Sequence, residues 1–159
     1  MGFEAYVAAR GRSLLRFAFV LSRDADLAQD LVQNALGRVH SRWERLETPD
    51  AYLRRAIVND FLSWKRRGAS REVLTAELPD VAAEGTGLED RDSMWRLLGE
   101  LPRKQRVVLV LRFYEDLDDE QIARVLGCAP ATVRSHASQA LAALRANSAS
   151  VRFTEGTAR

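Results

Sequence analysis

The chain has 159 residues, of which 24 are Lys or Arg and 22 are Asp or Glu, giving a formal net charge of +2. Its single cysteine excludes an intramolecular disulfide and a cysteine-based zinc site, and apolar runs such as residues 107–111 are far too short to span a bilayer. We therefore expect one or two small domains of a cytoplasmic protein with no cofactor, no metal and no membrane insertion.

Charge is unevenly distributed along the chain. Residues 1–71 contain 13 Lys or Arg and 8 Asp or Glu, a net charge of +5. Residues 72–92 contain 1 Lys or Arg and 7 Asp or Glu, a net charge of −6. Residues 93–159 contain 10 Lys or Arg and 7 Asp or Glu, a net charge of +3. Two basic lobes joined by an acidic connector predict that each lobe contacts a polyanion.

Two helices are predicted at the start of the amino-terminal lobe. The first spans residues 3–22, and the second carries apolar residues at every fourth position from Leu27 to Trp43. The polar side of the second helix, together with one neighbouring leucine, provides the candidate protein contacts Asp26, Asp30, Leu31, Gln33 and Asn34. An acidic face in a basic lobe would repel DNA and suits a basic protein partner, although an ordinary solvated surface is the alternative.

A third helix is predicted from Pro49 to about residue 67, with the Thr48 hydroxyl as its N-cap. It mixes cations, an amide and an aromatic residue, which are Arg54, Arg55, Asn59, Trp64, Lys65, Arg66 and Arg67. Cations that follow phosphates and rings that stack on bases are typical of single-strand binding. The alternative is that Trp64 shares the spacing of Ile57 and belongs to the core.

The rest of the chain is predicted to contain a linker, a second helical domain and a tail. Residues 69–92 have Pro, Gly and scattered acids, which favours a flexible linker. Residues 93–147 begin with a short helix ending near Leu101 and a helix begun by Pro102, whose apolar positions run from Val107 to Phe113. The tail, residues 148–159, is too polar and short to form structure alone.

Residues 116–145 have the pattern of a helix-turn-helix. A short helix ends at Gly127, and a second helix begins at Pro130 with Val133, Ala137 and Ala140 on one apolar face. The candidate DNA contacts on this second helix are Thr132, Arg134, Ser135, His136, Ser138 and Gln139. Arg134 suits a phosphate or a guanine and Gln139 an adenine, whereas a helical hairpin with a solvated face is the alternative.

These elements predict an all-α chain with two small helical domains that binds DNA. Glycine-rich phosphate loops and histidine pairs at metal spacing are missing from the sequence, so we expect no enzymatic activity. A stand-alone helix-turn-helix regulator and a protein-binding adaptor are both compatible with the residues alone.

With these motifs in order, the chain resembles the extracytoplasmic-function sigma factors of the sigma-70 family, and within them the actinobacterial SigE-like group. DADLAQDLVQNAL is similar to the region 2 segment that binds the β′ clamp helices of RNA polymerase. TPDAYLRRAIVNDFLSWKRR is similar to the segment that melts and reads the −10 element. The sequence from LPRKQR to ALAALR is similar to region 4, which reads the −35 element.

The resemblance implies a region 2 domain of three helices over residues 1–68 and a region 4 domain over residues 93–147. It also implies promoter DNA, core RNA polymerase (β′ clamp helices and β flap) and an anti-sigma factor as partners. The chain departs from the family pattern at Asn34 and Leu36 in the polymerase segment, and at Ala129 and Ala131 in the helix cap.

Overall fold

The computed structural model describes residues 1–64 and 96–156, and within these ranges every regular element is helical. The predicted all-α fold is therefore confirmed. The chain divides into two compact units, Met1–Val81 and Ala82–Arg159. The predicted linker, residues 69–92, lies outside the described residues.

The described part of the amino-terminal unit, residues 1–64, contains three α-helices and one 3₁₀ turn. They are α1 (Phe3–Ser22), α2 (Ala25–His40), the 3₁₀ turn (Trp43–Arg45) and α3 (Pro49–Ser63). The chain reverses between α1 and α2 because Arg23 adopts the left-handed conformation, with φ of 56°, and ends α1. Asp24 then begins α2, its side chain accepting hydrogen bonds from the backbone N–H groups of Asp26 and Leu27.

The three helices of this unit enclose one apolar core. Its most deeply buried side chains come from all three helices, namely Phe17, Leu21, Val39, Leu53, Ile57 and Val58. An ion pair between Arg38 of α2 and Asp60 of α3 lies at the edge of this core. The core fixes which face of each helix remains exposed.

Two details of this unit differ from the sequence predictions. Trp43 does not continue the apolar face of α2, because α2 ends at His40 and the chain turns so that the indole packs against Phe3 and Tyr6 of α1. Thr48 precedes α3, but its hydroxyl makes no capping hydrogen bond, since its ψ of 78° departs from the extended geometry that capping requires.

The end of α3 was also predicted too late. The helix ends at Ser63, and Trp64 has extended backbone geometry, with ψ of 118°. The basic residues 65–67 that were expected to continue it lie outside the described residues.

The carboxy-terminal unit is built around α5. Residues 96–100 form α4, followed by α5 (Arg103–Leu109), a π-helical turn (Val110–Tyr114), α6 (Asp119–Leu126) and α7 (Pro130–Gly156). Residues 107–111 are all buried. Five consecutive helical residues cover the whole circumference of a helix, so this segment is enclosed on every side.

The tail, expected to be too polar and short to form structure alone, continues the helix that precedes it. α7 continues through Gly156. Extending an existing helix needs no new nucleus, so residues that would not fold alone continue it. None of the helices in the described part of the chain is both long enough and apolar enough to cross a membrane.

Candidate nucleic-acid and protein interfaces

The predicted helix-turn-helix is present, and local chemistry fixes its turn. Asp118 caps α6 by accepting from the N–H of Gln121 at 2.8 Å, while the Gln121 side chain accepts from the N–H of Asp118 at 2.9 Å. Gly127 ends α6 with φ of 67°, a conformation that glycine adopts without strain. The Cys128 N–H then donates to the carbonyl of Ala123. This turn sets the angle at which α7 leaves α6.

The first three turns of α7 have one buried and one exposed side. Val133, Ala137 and Ala140 are buried, and Val133 is fully inaccessible, as is Ile122 of α6. The exposed side carries Thr132, Arg134, Ser135, Ser138 and Gln139, whereas His136 is half-buried. The predicted faces of this helix are therefore confirmed, and five of the six candidate DNA contacts are exposed.

Side chains from other helices contact two of these exposed residues. The Gln105 amide of α5 donates to the Gln139 side-chain oxygen at 3.4 Å. A guanidinium nitrogen of Arg134 lies 4.0 Å from a carboxylate oxygen of Asp119 in α6. Sequence analysis identified neither Gln105 nor Asp119, because helical periodicity describes the faces of one helix and not what lies across from them.

The candidate strand-binding residues of α3 do not all share one surface. Arg55 and Asn59 are exposed and four residues apart, so they lie on the same side of the helix. Arg54 is half-buried and points about 100° away from Arg55, toward the edge of the core. Trp64 is half-buried at the end of the helix. Lys65, Arg66 and Arg67 lie outside the described residues.

The acidic and amide face of α2 is exposed as expected. Asp26, Asp30, Gln33 and Asn34 are accessible and lie within roughly 100° of one another around the helix. Leu31 does not belong to this surface, because it faces the core and is only 3% exposed. Its position on the apolar face already indicated burial, so the structure does not place Leu31 with the exposed candidate contacts.

A cleft that sequence analysis did not identify lies between the start of α1 and the 3₁₀ turn. Aromatic side chains line it: Phe3 packs against His40 and Trp43 with ring centroids 4.8 and 5.5 Å apart, and Tyr6 packs against Trp43 at 4.8 Å. The residues that form it are separated by about 40 positions in the sequence, so no local pattern could have predicted it.

The floor of this cleft is tied to α3 by polar contacts. The Tyr6 hydroxyl donates a hydrogen bond to the Asp50 carboxylate, whose other oxygen accepts one from the Arg10 guanidinium at 3.4 Å. Burial, together with the hydrogen bond to Asp50, raises the pKa of Tyr6 well above its ordinary value. Tyr6 is therefore a neutral donor at physiological pH.

Part of the chain matches a known family, and most of its length is similar to known proteins. Residues 91–144 match the family described as sigma-70, region 4. The RNA polymerase sigma-E factor of Streptomyces coelicolor is 41% identical over 148 residues, which cover 90% of this chain and 84% of that protein. The extracytoplasmic-function RNA polymerase sigma factor SigM of Mycobacterium tuberculosis is 30% identical over 148 residues, which cover 89% of this chain and 74% of that protein.

A solved structure with a similar fold comes from Bartonella quintana. It is the sigma factor RpoE in complex with the anti-sigma factor NepR, and it aligns with a TM-score of 0.66 at 23% identity. The alignment covers 90% of this chain and 94% of that one.

Proposed function

The chain belongs to the extracytoplasmic-function RNA polymerase sigma factors of the sigma-70 family, and we propose that it binds core RNA polymerase and directs it to promoters through two DNA contacts and one protein contact. The observation that carries this proposal is the exposed polar side of α7 opposite a fully buried apolar side. It acts through binding and does no covalent chemistry, and it works in the cytoplasm with the polymerase.

We assign α7 to the major groove of the −35 element. Its exposed side offers one guanidinium, hydroxyls and one amide, which are groups that hydrogen-bond phosphates or base edges. A solvated face without a ligand usually carries Glu and Lys instead. Thr132 and Ser135 suit phosphates near the start of the helix, while Arg134 and Gln139 have the reach and the donors to read bases.

The exposed face of α2 is the proposed contact with core enzyme. Asp30, Gln33 and Asn34 present acceptors on a unit whose surrounding sequence is basic, so this face complements a basic helical surface such as the β′ clamp helices. We propose the β flap as the partner of the carboxy-terminal unit. An anti-sigma factor is a further candidate partner, since the Bartonella relative in fold was solved with one.

The −10 element is assigned to the side of α3 that carries Arg55 and Asn59. Arg55 would follow the phosphates of the non-template strand, and Asn59 would hydrogen-bond a base that has left the stack. The aromatic cleft at Phe3, Tyr6 and Trp43 is a second place in this unit where an unstacked base would meet ring faces.

A polymerase pull-down and run-off transcription test this function together. The chain should bind core enzyme and should convert it into a form that initiates at selected sites in a genomic fragment library. A stand-alone helix-turn-helix regulator would shift DNA in a gel without binding core enzyme. A protein-binding adaptor would neither shift DNA nor support run-off transcription. Failure to bind core enzyme while folded would refute the proposal.

A further inference from the structure

Asp119 lies between two arginines where α6 meets α7. A guanidinium nitrogen of Arg112 donates to one carboxylate oxygen of Asp119, and a guanidinium nitrogen of Arg134 lies 4.0 Å from the other. Each oxygen of this carboxylate therefore faces one guanidinium. Arg112 belongs to the π-helical turn and is partly buried, whereas Arg134 belongs to the exposed side of α7.

The backbone that carries Asp119 is fixed. It is the first residue of α6, directly after Asp118, whose reciprocal hydrogen bonds with Gln121 close the first turn. Ile122, in the same turn of α6, is fully buried and holds that turn in the core of the unit. With Arg112 on one oxygen, the orientation of the Asp119 carboxylate is also constrained.

We infer that Asp119 is a positioning residue that sets the orientation of the Arg134 guanidinium for base reading; the inference rests on the proposed role of α7 at the −35 element. The separation of 4.0 Å is a charge attraction and not a close hydrogen bond, and the Arg134 side chain remains 61% exposed. Asp119 therefore restricts the directions that Arg134 samples while leaving its donors accessible to DNA.

The same carboxylate has an opposite effect on binding in general. A negative charge at a DNA-facing surface repels phosphates, so Asp119 weakens contact with any duplex whatever its sequence. A residue that lowers general affinity and restricts an arginine increases the difference between correct and incorrect promoters. Discrimination at one −35 position separates positioning from a purely structural salt bridge, whose removal would change stability and overall charge but not the preference at a single position.

The experiment measures promoter discrimination by the full chain bound to core RNA polymerase. Core RNA polymerase carrying the parental chain, Asp119→Asn, Arg134→Ala or the double variant transcribes a promoter library in which every −35 position is randomised. Asp119→Asn should lower discrimination by about three- to tenfold at the position that Arg134→Ala also affects, and should have no further effect in the double variant. Its affinity for unrelated duplex should rise.

Glu120→Gln is the matched control. Glu120 is exposed in the same turn of α6, and its replacement changes the net charge by the same amount. It should raise affinity for unrelated duplex as Asp119→Asn does, while discrimination stays at the parental level. Equal discrimination in the two variants would overturn the inference.

Two further results separate the remaining explanations. If Arg134→Ala leaves the preference at every −35 position unchanged, the proposed role of α7 is wrong and the inference fails with it. If Arg134→Ala changes a preference and Asp119→Asn does not, the inference alone is refuted. Circular dichroism checks folding, and Asp119→Ser is a second replacement that should reproduce the loss. If neither variant folds like the parental chain, Asp119 is structural and the inference is overturned.

Discussion

Asn59→Ala is expected to slow promoter opening without changing the fold. Asn59 is exposed on α3, one helical turn after Arg55, and its removal leaves the buried face of Leu53, Ile57 and Phe61 intact. The variant should therefore unfold at the parental temperature, since surface replacements away from such packing usually change stability by less than about 0.5 kcal/mol.

The size of the effect follows from what Asn59 offers. One exposed amide can make one or two hydrogen bonds to a base, each worth about 0.5–1.5 kcal/mol in net terms. Losing one of them corresponds to a decrease of roughly 2- to 13-fold in the equilibrium for the opened promoter. A larger loss would mean that Asn59 makes both of its hydrogen bonds to the base.

Abortive transcription on matched duplex and premelted promoters measures this effect. On duplex DNA the variant should show the loss, and on a template with an unpaired −10 element transcription should be largely restored. Ser63→Ala is the control, because Ser63 lies one turn further along α3 and its hydroxyl donates to the carbonyl of Asp60 within its own helix. Equal defects on both templates would refute a role in opening.

Three further changes test the other surfaces. Asp30→Arg should weaken binding to core enzyme by on the order of 1–3 kcal/mol in a titration, whereas the same charge reversal at the exposed Glu4 of α1 should not; equal losses would mean that overall charge matters and not this face. Arg134→Ala should cost about 1–3 kcal/mol at one −35 position in a binding assay, while a uniform loss across sequences would make Arg134 a phosphate contact. The pKa of Tyr6 is raised in the folded state, so the unfolding free energy should fall as the pH rises above about 10, the ordinary pKa of tyrosine. Urea titrations at several pH values should show a smaller decrease for Tyr6→Phe, and the same pH dependence in both chains would contradict the burial argument.

The breaks between helices were the most predictable features of the fold. The Asp24 side chain accepts hydrogen bonds from the first N–H groups of α2, and Gly127 ends α6 by adopting a left-handed conformation. Both residues act within a few positions of their own place in the sequence. Pro130 begins α7 as expected because it has no N–H to leave unpaired. Signals of this kind can be read from the sequence because their partners are adjacent in it.

Features that depend on distant partners were not predictable. Tyr6 and Asp50 are 44 residues apart, and Gln105 and Gln139 are 34 apart, so only the folded chain brings them together. The apolar run that was expected to end a buried helix instead passes into a π-helical turn, and Phe113 is 63% exposed. Composition alone does not show where a helix widens its turn.

The same distinction explains the outcome for the candidate sites. Periodicity separated exposed from buried positions on α7 correctly, and on α2 it placed Leu31 on the apolar side, where that residue is buried. On α3, grouping residues by charge placed Arg54 with Arg55, although consecutive residues of a helix point about 100° apart. Grouping by helical angle would have separated them.

The charge of α7 gives a physical reason for the two units to act together on the polymerase. Within residues 130–140, Arg134 is the one Lys or Arg, so this helix can neutralise few phosphates. The phosphate contribution dominates affinity for DNA and grows with each neutralised charge, so α7 alone should bind weakly and at low salt. Attachment to core enzyme through other surfaces raises the effective concentration of α7 at the promoter to roughly the millimolar range, at which weak contacts become occupied. Under that arrangement a few neutral donors are sufficient to choose among sequences, and a high intrinsic affinity for DNA would only hold the chain at incorrect sites.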